Sequence, residues 1–189
     1  MSTLLIVIGI AAAVLLAGAV AGRPYLRRQH LRRRFGPEYD RALGQFASRR
    51  DAERNLVERE RRFRDLDIRP LPAEAKTKYE ADWNTLMERF VEAPADAVTA
   101  ADELIARVMH ARGYPTGAAD KPMEVLSVSH GHALDRYRQA QEIGRLSGAG
   151  KASTEDLRQA LLHHRTLFLA LLGRAPDAAS PARETSRES

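Results

Sequence analysis

Apolar residues run without interruption from Leu4 to Ala21 and then stop. Eighteen residues at 1.5 Å each make roughly 27 Å of helix, close to the hydrocarbon thickness of a bilayer. After this run the pattern turns amphipathic. Residues 25–35 are predicted to continue the same helix, and Gly36-Pro37 to end it, because proline cannot extend a helix but suits the first turn of a new one. Residues 37–65 read as one further helix, with Tyr39, Leu43, Phe46, Leu56, Val57 and Phe63 as its apolar positions. Between Phe46 and Leu56 that stripe nearly vanishes under Arg49, Arg50, Asp51, Glu53 and Arg54, so the helix is expected to be a solvated, charged stalk that packs only at its ends.

Leu66-Asp67-Ile68-Arg69-Pro70-Leu71-Pro72 breaks the helical period. The two prolines push the residues before them out of the α region, and Ile68 and Leu71 are expected to fold back as plugs. In the next helix, about residues 73–92, Tyr79, Trp83, Leu86 and Phe90 share one face. Pro94 opens a helix faced by Val98, Ala101, Leu104, Ile105 and Val108, and Gly113 takes its left-handed C-terminal position with Pro115 after it. A fifth helix from about Pro122 to Leu146 carries Leu126, His130, Ala133, Tyr137 and Ala140, and the glycines at 144, 148 and 150 close it. Ser153 and Asp156 mark the capped start of a last helix, with Leu157, Ala160, Leu161, His164, Phe168 and Leu171 on its face and Gly173 at its end. Residues 174–189 have no large apolar side chain and are expected to be disordered. No stretch alternates in the manner of a strand.

The expected architecture is therefore all-α. It comprises a single transmembrane helix (1–22), a basic juxtamembrane helix and charged stalk helix (23–66), a small antiparallel helical bundle (67–173) and a disordered tail (174–189).

Charge changes this picture in one respect. The net charge is +5, and Arg23, Arg27, Arg28, Arg32, Arg33 and Arg34 contribute six positive charges with no acid among them, which leaves the rest at −1. The basic character is local to the end of the apolar run. Such a patch is suited to anionic headgroups, and these six arginines are the lipid-contact candidates. A nucleic-acid partner is not expected, since that role wants the excess on a face of the folded domain. Arginines directly after an apolar span also favour a single pass through a bacterial inner membrane, N-terminus outside and domain in the cytoplasm. The alternative is export, with signal cleavage near Ala21. Only four of the 30 basic residues are lysine, a composition of GC-rich bacterial genomes.

There is no cysteine, which excludes disulfides, thiol catalysis and cysteine-bound zinc. No phosphate-binding glycine loop or nucleophile elbow occurs, and Gly148-Ala149-Gly150-Lys151 lacks the upstream glycine of a P-loop. His130 and His164 each interrupt an apolar stripe. A metal site would need both and a further ligand, and the preferred reading is core histidines hydrogen-bonded to a neighbour such as Tyr137. No catalytic residue, cofactor or metal is expected. Arg112-Gly113-Tyr114-Pro115, in a loop between helices, is a weak partner-binding candidate.

Several segments carry a resemblance. They are Phe35-Gly36-Pro37-Glu38-Tyr39-Asp40-Arg41, Leu66-x-Ile68-Arg69-Pro70-Leu71, Trp83 with Phe90-Val91-x-x-Pro94, Ala101-Asp102-x-Leu104, and Val108-Met109-x-x-Arg112-Gly113-Tyr114-Pro115. Tyr137-Arg138-x-Ala140 and Leu157-Arg158-x-Ala160 with Leu167-Phe168 complete the set. Together they resemble an uncharacterised family of bacterial helical proteins, membrane-anchored or secreted, with an Arg-Gly-Tyr-Pro motif. The resemblance implies no activity. That pattern often has proline after a histidine, which would mark a helix start near residue 131; this chain departs from it, with Gly131 after His130. The function expected is a membrane-tethered interaction or scaffold protein with a protein partner. The alternatives are a sensor of anionic lipid or membrane stress working through the arginines, and, least favoured, a histidine-based metal protein or enzyme.

Overall fold

A computed structural model describes residues 25–117 and 121–174. Among these residues there are seven helices and no strand. They are α1 (25–35), α2 (Pro37–Gln45), α3 (Arg49–Arg64), α4 (Ala73–Arg89), α5 (Pro94–Ala111), α6 (Pro122–Gly148) and α7 (Thr154–Leu171). The apolar run Leu4 to Ala21 and the tail beyond residue 174 lie outside the described residues. None of the described helices is long and apolar enough to cross a membrane.

Four helices, α4 to α7, enclose the main core. Trp83 of α4 stacks on Phe168 of α7 with ring centroids 4.7 Å apart. Val98, Ala101, Leu104, Ile105 and Val108 of α5 are all buried, as the stripe requires. Helix α7 starts with a reciprocal cap in which Ser153 accepts from the Asp156 amide at 3.2 Å and Asp156 accepts from the Ser153 amide at 2.8 Å. Two of the orphan amides at the helix start are satisfied this way.

Residues 66–72 fold back as expected: Leu71 is buried, and Ile68 and Leu66 pack partly against the core. The Arg112-Gly113-Tyr114 segment holds them there. The Arg69 amide donates to the Arg112 carbonyl at 2.9 Å. The Arg112 guanidinium donates to the carbonyls of Arg69 at 3.2 Å and Leu171 at 2.8 Å. Gly113 has φ +88°, and a Cβ there would lie 2.4 Å from the Asp67 carbonyl oxygen. Only glycine satisfies both conditions.

The expected stalk is not a stalk. The chain breaks at residues 46–48, where Phe46 is extended and Ser48 caps α3 by accepting from the Asp51 amide. Helices α2 and α3 form a hairpin that packs with α1 on α6. Leu31, Phe35, Tyr39, Ala42, Ala52 and Leu56 bury a second, smaller core that Val128 of α6 completes. Phe63 packs against both cores. The apolar stripe on residues 37–65 looked too thin to pack because α1 and α6 supply the missing half.

Helix α6 is kinked. His130 has φ −135° and ψ 38°, outside the helical region, so residues 122–129 and 131–148 run as two segments. The helix expected from Pro122 is thus present but bent at His130.

Candidate functional site

Helix α1 is seated on this kink. Leu31 and Phe35 are fully buried along one side of α1, while Tyr25 and Leu26 are 60% and 66% exposed. At the C-terminal end of α1 the backbones touch. A Cβ on Gly131 would lie 2.4 Å from the Phe35 carbonyl oxygen, and one on Gly36 would lie 2.7 Å from Nε2 of His132. Gly36 also turns the chain with φ +53°, so that Pro37 starts α2 immediately.

Ion pairs flank the seam on both sides of the kink. Glu38, 1% exposed, accepts from Arg138 and lies 3.3 Å from Nε of Arg41, which also reaches Asp135 at 2.7 Å. On the other side, Glu124 pairs with Arg62 at 3.0 Å and with Arg59 at 3.8 Å. Arg59 is 6% exposed, and burial lowers its guanidinium pKa although Glu124 opposes the shift. Arg138→Gln strips the buried Glu38 carboxylate of one of its two cations. Arg138 is a quarter exposed and Arg41 remains, so the expected loss is about 1–2 kcal/mol, below that of a fully buried pair. A urea midpoint unchanged from wild type would show the pair to be energetically idle.

The arginines of the expected lipid patch divide. Arg23 lies outside the described residues. Arg27 donates to the Glu53 carbonyl at 3.4 Å, Arg28 lies 3.8 Å from the Glu53 carboxylate, and Arg32 pairs with Asp40 at 3.3 Å over the Tyr39 ring. Glu53 also accepts from the Tyr39 hydroxyl at 2.9 Å; burial and this bond raise the phenol pKa. Arg27, Arg33 and Arg34 are exposed with no ion pair among the described residues, Arg27 bonding a backbone carbonyl. The patch carried no acid in sequence, but in space Asp40 and Glu53 return to it.

The remaining candidates turn inward. Arg112 and Gly113 are occupied in holding residues 66–72, and Tyr114 is 3% exposed with its hydroxyl 3.0 Å from Ser129. Arg112 lies over the Tyr114 ring at 5.6 Å. The Arg112 and Tyr114 side chains and the Gly113 turn are thus engaged within the fold. Pro115 is partly buried beside it.

His130 and His164 have different neighbours. His130 faces the Tyr114 ring at 6.3 Å, whereas His164 meets Tyr137 edge-on at 5.5 Å and lies 3.5 Å from Asp102. Tyr137 donates to Asp102 at 2.6 Å and accepts from Gln141 at 3.1 Å. Burial pushes the Asp102 carboxyl upward, but its bonds with His164 and Tyr137 outweigh burial and hold it below the usual range. The Tyr137 phenol is raised by burial and by the Asp102 charge. Among the described residues no three of His, Asp or Glu gather as a metal would need.

Asp102 was the partner that sequence reading missed for His164. The signal available was its place on α5, one residue from the buried Ala101. Comparison with models of known families finds no match, and neither curated proteins nor solved structures yield a similar chain.

Proposed function

We propose that this chain is a membrane-tethered helical scaffold of a bacterial inner membrane. In this reading Leu4 to Ala21 is the anchor and the bundle binds a protein partner at the cytoplasmic face. The observation that supports it best is the seating of α1 on the α6 kink through Leu31, Phe35, Gly36 and Gly131. An anchor continued by such a helix holds the bundle at a set angle to the bilayer, as a docking platform needs and a flexible tether does not provide.

The cysteine-free sequence makes the test direct. Single-cysteine variants Ser2→Cys and Ala149→Cys are treated with a membrane-impermeant maleimide on intact cells. Ser2→Cys is expected to label at once, and Ala149→Cys only after permeabilisation. Release of the protein by alkaline carbonate, or labelling of both positions from outside, would overturn the proposal.

A second reading, a surface selective for anionic lipid, is favoured by the exposure of Tyr25 and Leu26 on the helix that also carries Arg27, Arg33 and Arg34, exposed and without ion pairs among the described residues. The readings part on Arg33→Gln combined with Arg34→Gln. A scaffold keeps its crosslinked partner in this variant, whereas a lipid sensor loses its preference for anionic vesicles.

A further inference from the structure

The polar group between α5, α6 and α7 has more capacity than the core uses. Tyr137 and His164 both approach Oδ1 of Asp102, and Gln141 also acts on this carboxylate, whose side chain is 46% exposed and keeps room for a further donor from the cavity. Behind it His164 is 1% exposed, and its Nδ1 has no hydrogen-bond partner among the described residues. A buried polar atom without a partner is rare enough in folded proteins to need a reason. Both residues line one cavity, which Val98, Thr99, Gln141 and Gly144 help to enclose.

Gly144 points the same way. It sits inside α6, where glycine weakens a helix relative to alanine. No close approach requires it: a Cβ there would meet only the Val98 side chain, at an ordinary 3.8 Å. What the missing side chain does is keep the cavity open.

The lining of the cavity holds one carboxylate, Asp102, and one cation, Arg145. Arg145 is paired with Glu142 through Nε at 2.9 Å, which leaves Asp102 without an arginine partner among the described residues. Apolar wall from Val98 and Ala140 lies next to that carboxylate. A carboxylate beside apolar wall, with too few ligands for a metal, suits an amphiphilic cation. We propose that this cavity binds a small organic cation with N–H donors, an alkylammonium or guanidinium group, seated on Asp102 with its aliphatic part against Val98 and Gly144. The site stands independently of the membrane reading.

The test uses full-length protein in detergent micelles with histidine Cε1 labelled by carbon-13, the His164 signal being assigned with His164→Gln. Titration with n-butylammonium or with N-acetyl-arginine amide is expected to shift that signal saturably in the millimolar range. Asp102→Asn keeps an acceptor for Tyr137 and is expected to weaken binding about tenfold or more. Gly144→Leu fills the cavity without touching the polar group and is expected to abolish binding. A response to butylammonium alone assigns the site to a free amine. A response to the arginine derivative assigns it to a basic side chain of a partner, and either result supports the site. Tetramethylammonium, a cation without N–H, is expected to be silent. An equal response to it, no saturable shift with either probe, or unaltered binding in both variants would overturn the proposal.

Discussion

Gly131→Ala is expected to destabilise the fold by about 2–3 kcal/mol, the scale of an overpacked core, and to release α1 to α3 from the bundle. Helix propensity alone gives the opposite sign, since alanine exceeds glycine by about 1 kcal/mol inside a helix. Sterics decide the sign here. The added Cβ would sit 2.4 Å from the Phe35 carbonyl oxygen, and that obstacle is backbone, which cannot rotate away as a side-chain tip can. Relief requires α1 to lift off α6, and Leu31, Phe35 and Val128 then lose part of their shared burial. Limited trypsin digestion checks this: cleavage after Arg33 and Arg34 should accelerate while the Trp83 emission of the main core stays native. Unchanged protection of Arg33 and Arg34 would show that the contact yields cheaply.

Trp83→Ala is expected to cost about 3–5 kcal/mol, a large part of the 5–15 kcal/mol that a domain typically has. Trp83 is 5% exposed, and its ring lies on Phe168. Truncation removes the stacked contact of α4 with α7 and leaves a void against Phe168. Because Trp83 is the chain's one tryptophan, unfolding must be followed by circular dichroism in urea. A loss below about 1 kcal/mol would mean that the neighbourhood closes over the void.

The main bundle was legible because its signals are local. Trp83 and Leu86 show their face within α4, and Ser153 with Asp156 announces α7. The N-terminal layer was not legible, for two reasons. Ser48 with Asp51 is the same cap signature as Ser153 with Asp156, but it was hidden inside a dense run of charges that read as continuous helix. The burial of Leu31, Phe35 and Ala52 depends on Val128, far along the chain, and no period within residues 25–65 records that. The candidate site divides in the same way. The arginines are plain in sequence, but their neutralisation by Asp40 and Glu53 is a product of the α1 to α3 turn. The Asp102, Tyr137 and His164 group joins three helices and has no motif, and only the capacity of His164 to need a partner pointed to it.

The pairing of Glu38 with Arg138 spans 100 residues of chain. A ribosome adding about 5–20 residues per second therefore leaves Leu31 and Phe35 without the α6 side of their docking surface for about 5–20 s after they emerge. For that interval α2 and α3 are the only parts of the small core that α1 can meet, and its remaining apolar side stays open. The order of synthesis thus makes the seam with α6 the last to close, when Val128 and Gly131 arrive.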